Sequence, residues 1–159
     1  SHTVAHALSG HYRGKSDTVI EAIADTDGLV GVCAIPGFLG CNADISALLD
    51  HIDHFVEKAG IDHVGIGTDT PYTTEQYDEM TAKLPEPPLS RTHWRALWPD
   101  FKAVERAKNP LAKKSLSWTN WPLFTVGLVQ RGYSDEAIRK IIGENMLRVA
   151  RANWDDRVP

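Results

Sequence analysis

The sequence is short of the features that mark several protein classes. No apolar run approaches the ~18 residues that cross a bilayer. There is no basic block: 17 Lys and Arg stand against 21 Asp and Glu, for a net charge of -4. Nucleic acid and anionic membrane surfaces are therefore not expected partners. Cysteine is scarce. Cys33 and Cys41 have the spacing of neither a disulfide framework nor a zinc knuckle. Both read as buried thiols, which leans the chain toward a reducing, cytoplasmic setting. There is no internal repeat and no low-complexity tract. The opening "SHTVAHALSGHYRGKSD" has no initiator Met and neither the charge nor the apolar core of a signal peptide. An upstream segment removed from this chain, or a longer protein of which it is a piece, is the expectation.

What is present is ordinary for a folded domain: 159 residues, 42% apolar and 24% charged. Residues 1–15 read as loop. "SDTVIEAIADTDG" reads as a short helix, N-capped by Ser16 and followed by Gly28. "LVGVCAI" (29–35) is a continuous apolar run of strand length, suited to a strand buried on both faces. "ADISALLDHIDHFVEKAG" places Ile45, Leu48, Leu49, Ile52, Phe55 and Val56 on one helical face, with Gly60 at the C-cap. "HVGIGTD" (63–69) is a second strand. Helix, strand, helix, strand with short joins predicts a right-handed parallel crossover and an α/β class. Residues 70–117 are broken by Pro71, Pro85, Pro87, Pro88, Pro99 and Pro110. They read as a long insertion after a strand, with short helices in "TTEQYDEM" and "PDFKAVERA". Residues 118–159 return to helix, with Ser134 capping "SDEAIRKII".

Asp69 is the first candidate for chemistry. Parallel α/β proteins bind ligands outside the carboxyl ends of their strands, and Gly65 and Gly67 leave room for close backbone approach. A carboxylate there can ligate a metal or move a proton, or it can simply cap a loop. His2, His6 and His11 crowd the N-terminal segment, where His2 and His6 would share a face if helical. Surface histidines are the competing reading. Arg13, in the glycine-bounded "GHYRGK", could fork onto a substrate carboxylate or stand solvated. His51 and His54 fall among Asp50, Asp53 and Glu57 on a polar helix side, and His63 could face either way. Trp94, Trp98, Trp118 and Trp121 pack a core or lid, or wall a pocket; Glu75, Asp78 and Asp100 form no evident pair.

Three segments together resemble the membrane dipeptidase (renal dipeptidase) family of zinc metallopeptidases. "SHTVAHALSGHYRGKSD" resembles the stretch that carries a zinc-ligand histidine. "LLDHIDHFVEKAGIDHVGIGTD" resembles the helix and strand that lead to an aspartate motif. "YSDEAIRKIIGENMLRV" resembles the C-terminal signature, a Gly-x-Asn followed by Arg-Val. The resemblance covers nearly the whole chain, least securely residues 72–115. It implies a (β/α)8 TIM-type barrel of the metallo-dependent hydrolase type, with two zinc ions. The implied reaction is hydrolysis of a dipeptide or dipeptide-like amide by a metal-bridging hydroxide. It also implies that His2 is a metal ligand, that Arg13 binds the carboxylate of a small peptide, and that Asp69 is the catalytic carboxylate. The loop 36–41 and the Trp-rich insertion would wall the pocket.

Two departures qualify the resemblance. The family motif reads Gly-x-Asp-Phe-Asp-Gly; here "GTDTPY" puts Pro71 at the second Asp. A modified peptide or another amide is therefore an alternative substrate. The second departure is length, since a (β/α)8 barrel takes about 250 residues. The family's His-x-Asp pair, bridging Glu and further ligand His lie upstream of the match to His2. The chain thus reads as the C-terminal portion of one barrel domain. Its expected partner is the N-terminal half of the same enzyme, on a separate polypeptide or across a nick or gap. Self-association into a homo-oligomer is also expected, because half a barrel leaves strand edges and helix faces exposed. A non-catalytic scaffolding fragment is the reading from a different class.

Overall fold

The computed structural model describes residues 2–70, 76–85 and 110–154. Three short strands, β1 (His2–Thr3), β2 (Val30–Val32) and β3 (Val64–Ile66), form one parallel sheet in the order β1-β2-β3. His2 lies opposite Gly31, which lies opposite Gly65. Pairing continues past the strands. The Cys33 N–H donates to Thr3 O, the Gly67 N–H to Val32 O and the Ala34 N–H to Thr68 O. The expected apolar runs thus form the sheet, and all of β2 is buried.

The connections are helical: α1 (His6–Ser9) and α2 (Asp17–Asp25) after β1, then α3 (Pro36–Leu39) and α4 (Ile45–Ala59) after β2. α4 has the predicted stripe. Leu48, Ile52 and Phe55 are fully buried in the cluster that holds Val30, Val32 and Val64. Its start is fixed by Asp44, whose Oδ1 accepts from the Ser46 and Ala47 N–H groups. Its end is Gly60, at φ 82, whose N–H donates to Val56 O. A single 3-10 turn, Ile61–His63, leads into β3. After β3, α5 (Tyr77–Ala82) and α6 (Pro110–Ser115) are the described parts of the insertion. Pro71, Glu75, Trp94, Trp98 and Asp100, and the helix expected in "PDFKAVERA", lie outside the described residues. α7 (Trp121–Gln130) packs Phe124 and Leu128 into the core, and its Gly127 lies so close to α4 that a Cβ would sit 2.4 Å from Leu49 Cδ1.

The C-terminal signature is an anchor. α8 (Asp135–Arg139) starts at Ser134, whose Oγ accepts from the Ala137 N–H as expected. A π turn, Lys140–Glu144, joins it to α9 (Asn145–Trp154). Asn145 donates through Nδ2 to Ile61 O and Val64 O, both at 2.8 Å. Arg148 donates to the carbonyls of Asp27, Gly28 and Asp62. Both side chains bind the segments that enter β2 and β3, at the opposite end of the strands from Asp69.

Several expectations are corrected. Residues 1–15 are not all loop, because pairing with β2 makes His2–Thr3 a strand and α1 follows it. Ser16 stands at the start of α2 but makes no side-chain cap bond. Cys33 is buried, and that burial pushes its thiol up to about 11; Cys41 is exposed rather than buried. His51 is not on a solvated face. It is 1% exposed, its Nδ1 accepts from the Ala5 N–H, and its Nε2–H donates to Leu39 O. Neighbouring α3 and the end of β1 cover that side of α4.

Burial lowers the His51 pKa from its ordinary value of 6.5, against the opposing Leu39 bond. The unfolded chain therefore takes up this proton first. Its contribution to stability is whole above about pH 6.5 and is lost as pH falls below it. A His51→Gln variant, which keeps one acceptor and one donor, should show a shallower loss of thermal stability between pH 7.5 and pH 5.5. Equal slopes in the two proteins would refute a buried neutral imidazole.

Candidate functional site

His2 and Asp69 reach each other across the sheet. His2 is on the first strand, and Asp69 stands three residues beyond the third. Their side chains meet with His2 Nε2 3.5 Å from Asp69 Oδ2, at 34% and 44% exposure. Glycine makes this possible. Gly31 and Gly65 continue the row that begins at His2, and a Cβ on Gly67 would lie 3.0 Å from His2 Cβ. Asp69 has φ 52, in the left-handed region that non-glycine residues seldom occupy. That conformation costs free energy, and strained backbone of this kind concentrates at functional sites.

Arg13 belongs to the same neighbourhood but to another surface. Its backbone is tied twice. The Arg13 N–H donates to His11 Nδ1, and Arg13 O accepts from Thr3 Oγ1 at 3.0 Å. Gly14 packs on the backbone of His6, where a Cβ would lie 2.9 Å from His6 Cα. The guanidinium carbon stands 5.2 Å from the Phe38 ring centroid, a cation–π placement. His11, buried, also stacks on Phe38, with ring centroids 4.4 Å apart.

Two cavities meet at His2. One, of about 280 Å³, is lined by His2, Thr3, Tyr12, Arg13, Lys15 and Phe38. The other, of about 550 Å³, runs over Gly31, Gly65 and Gly67 to Asp69, with Leu29, Ile141, Met146 and Leu147 as its apolar wall. Phe38, within segment 36–41, lines the smaller cavity from a helical turn rather than a loop.

The other histidines are not among the described residues that line either cavity. His6 and His2 do not share a helix face: His6 opens α1, and its Nδ1 lies 3.1 Å from His11 O. His11 is buried rather than a surface residue, His54 pairs with Asp17 Oδ1 at 2.8 Å, and His63 Nδ1 lies 3.0 Å from Gly28 O. Sequence reasoning missed Tyr12 and Lys15 as residues of this cavity, although proximity to Arg13 in "GHYRGK" was an available signal; Phe38 fell within the segment 36–41 but was not singled out.

An imidazole nitrogen and a carboxylate oxygen are donors that suit zinc. The pair fits a metal site as part of one. Among the described residues no group of three His, Cys, Asp or Glu forms a complete site.

Parallel strands joined by helices define an α/β protein, a class that binds ligands at the carboxyl ends of its strands. The family follows from comparison. The model of Membrane dipeptidase (Peptidase family M19) matches residues 1–115, and the chain belongs to that metallopeptidase family. Dipeptidase tcpJ of Claviceps purpurea is 26% identical over 154 residues, covering 95% of this chain and 28% of its own length. The chain thus spans less than a third of that relative. An amidohydrolase from Pseudomonas aeruginosa superposes with a TM-score of 0.67 at 28% identity, over 97% of this chain and 45% of that one. A metallopeptidase from Rhodobacter sphaeroides, solved with a phosphinate mimic of the dipeptide L-Ala-D-Ala, has the same fold. Its TM-score is 0.62 at 21% identity, over 96% and 35% of the two chains.

Proposed function

We propose that this chain is the C-terminal part of a (β/α)8-barrel, zinc-dependent hydrolase that cleaves dipeptides or dipeptide-like amides. The observation that carries the proposal is the convergence of His2 and Asp69 at 3.5 Å, with Arg13 on the cavity that His2 also lines. His2 would hold one of two zinc ions through its imidazole, and Asp69 would stand beside it. Zinc, when bound, supplies Lewis-acid polarisation of the scissile carbonyl. Asp69 Oδ2 takes a proton from the attacking water and returns it to the leaving amine as the C–N bond breaks. Arg13 clamps the free carboxylate of the substrate and so sets the distance to the scissile bond.

The remaining ligands and strands come from a preceding polypeptide. Apolar side chains left in solvent support that part of the reading: Leu123, Val126 and Val129 on α7, and Met146 and Leu147 on α9. A second substrate class, a modified peptide or another amide, is favoured by Pro71 at the second aspartate of the family motif.

The test uses the complete enzyme with Ala-Ala, in both configurations of the second residue, and the same peptides amidated at the C-terminus. Arg13→Ala should raise KM for the free peptides by about tenfold or more, the order expected of a lost charge-assisted contact. The amidated peptides should change little. Equal effects on both would refute the clamp, and no hydrolysis of any peptide would refute the dipeptidase reading.

A further inference from the structure

The cavity that holds Arg13 carries more positive charge than a dipeptide's single carboxylate requires. Lys15 lines it too, and among the described residues that line it there is no Asp or Glu. This is unusual for a chain with a net charge of -4. Several other cations are matched: Arg131 with Asp50 and Asp53, Lys140 with Asp62 and Glu136, Arg148 with Asp27. Among the described residues neither Arg13 nor Lys15 is paired with a carboxylate. Lys15 is also held in place. Its N–H donates to Val4 O, its carbonyl accepts from the His6 N–H, and it bridges to Ala5 in parallel register. The segment beyond β1 therefore fixes the Lys15 backbone beside the cavity, as the ties to Thr3 and His11 fix that of Arg13.

We propose that Lys15 is a specificity-determining residue: with Arg13 it forms a dicationic subsite that selects substrates whose C-terminal residue bears a second negative charge, such as an Xaa-Glu or Xaa-Asp dipeptide. The inference rests on the dipeptidase reading and deepens it. Arg13 takes the α-carboxylate that every dipeptide has. Lys15 takes a side-chain carboxylate that only some have. Its compact ammonium on a flexible stem suits carboxylates at slightly different distances, where a guanidinium fork would select one geometry. Tyr12 and Phe38 line the same cavity and give the methylene groups of such a residue an apolar contact.

The experiment compares Ala-Glu with Ala-Gln, which are nearly isosteric and differ in that one charge. The complete enzyme and its Lys15→Met and Lys15→Arg variants are assayed for hydrolysis, and binding of both peptides is measured by calorimetry. The wild type should prefer Ala-Glu. Lys15→Met should lower kcat/KM for Ala-Glu by about fivefold, the order of a partly exposed ion pair. Ala-Gln should be unaffected, and Lys15→Arg should retain most of the preference. Added salt should erode the Ala-Glu advantage. An equal response of the two peptides to Lys15→Met, or no response, overturns the subsite while leaving the dipeptidase reading in place. Selective, Lys15-dependent binding of Ala-Glu without hydrolysis would support the subsite and refute the hydrolytic reading. Absence of binding by either peptide overturns both.

Discussion

His2→Ala should strip the complete enzyme of zinc at one position and reduce hydrolysis by more than 100-fold. Removing even an outer-shell partner of a metal ligand costs about 10–100-fold in affinity, and loss of the ligand itself costs more. The fold should survive, because β1 is held through its backbone: His2 pairs with Gly31 by strand register, and its neighbour Thr3 accepts from the Cys33 N–H. The imidazole itself is a third exposed and is not a core contact. His6→Ala is the matched control. That histidine is nearby in sequence, but its Nδ1 lies against His11 O and it lines neither of the cavities that meet at His2. Zinc per chain, read by mass spectrometry beside circular dichroism of each variant, decides the matter. Full zinc in His2→Ala would end the ligand assignment. Loss of zinc in His6→Ala to the same degree would show that the segment, rather than one imidazole, is what matters.

The parts of the fold that were legible in the sequence are those in which local pattern and tertiary environment agree. α4 has a stripe and a terminal glycine, and it forms where these signals place it. The run around Val30 and Val32 suited a buried strand and forms one. What was illegible depends on neighbours. "SHTVA" has no strand pattern; it becomes β1 because the edge of β2 offers it hydrogen-bond partners. His51 sits next to Asp50 and near Asp53, so its helix side reads as polar. The packing of α3 and of Ala5 against it turns a polar position into a buried, doubly bonded one. The same holds at the site. Strand-end position singled out Asp69, and the family resemblance singled out His2 and Arg13. The 3.5 Å approach of His2 to Asp69 is a property of sheet register and of glycine at 67, and no local pattern encodes it. Phe38 comes to Arg13 from a different βα connection, so its share in the cavity is wholly tertiary.

A large loss of stability should follow from replacing Asn145. It is 3% exposed, and one amide nitrogen spans two carbonyls, Ile61 O and Val64 O, on either side of the turn that enters β3. Asn145→Leu keeps the approximate volume and removes the donor. Two carbonyls are then left facing an apolar side chain, at a cost of about 1–3 kcal/mol for each unsatisfied group. Partial compensation by solvent at Ile61, which is less buried than Val64, brings the expected loss to about 3 kcal/mol. For a chain of this length that lowers the thermal midpoint by about 5–10 °C. Glu144→Ala, one residue away on an exposed position, should change it by less than about 0.5 kcal/mol. The effect should also reach the site. Met146 and Leu147 follow directly on the same helix and wall the cavity that ends at Asp69. If the Asn145 anchor fixes that wall, Asn145→Leu lowers both the unfolding midpoint and the kcat/KM of the surviving folded enzyme. An unchanged midpoint would mean that the helix is held by Arg148 and apolar packing alone, and that the Gly-x-Asn signature has some purpose other than fastening α9 to the entrance of β3.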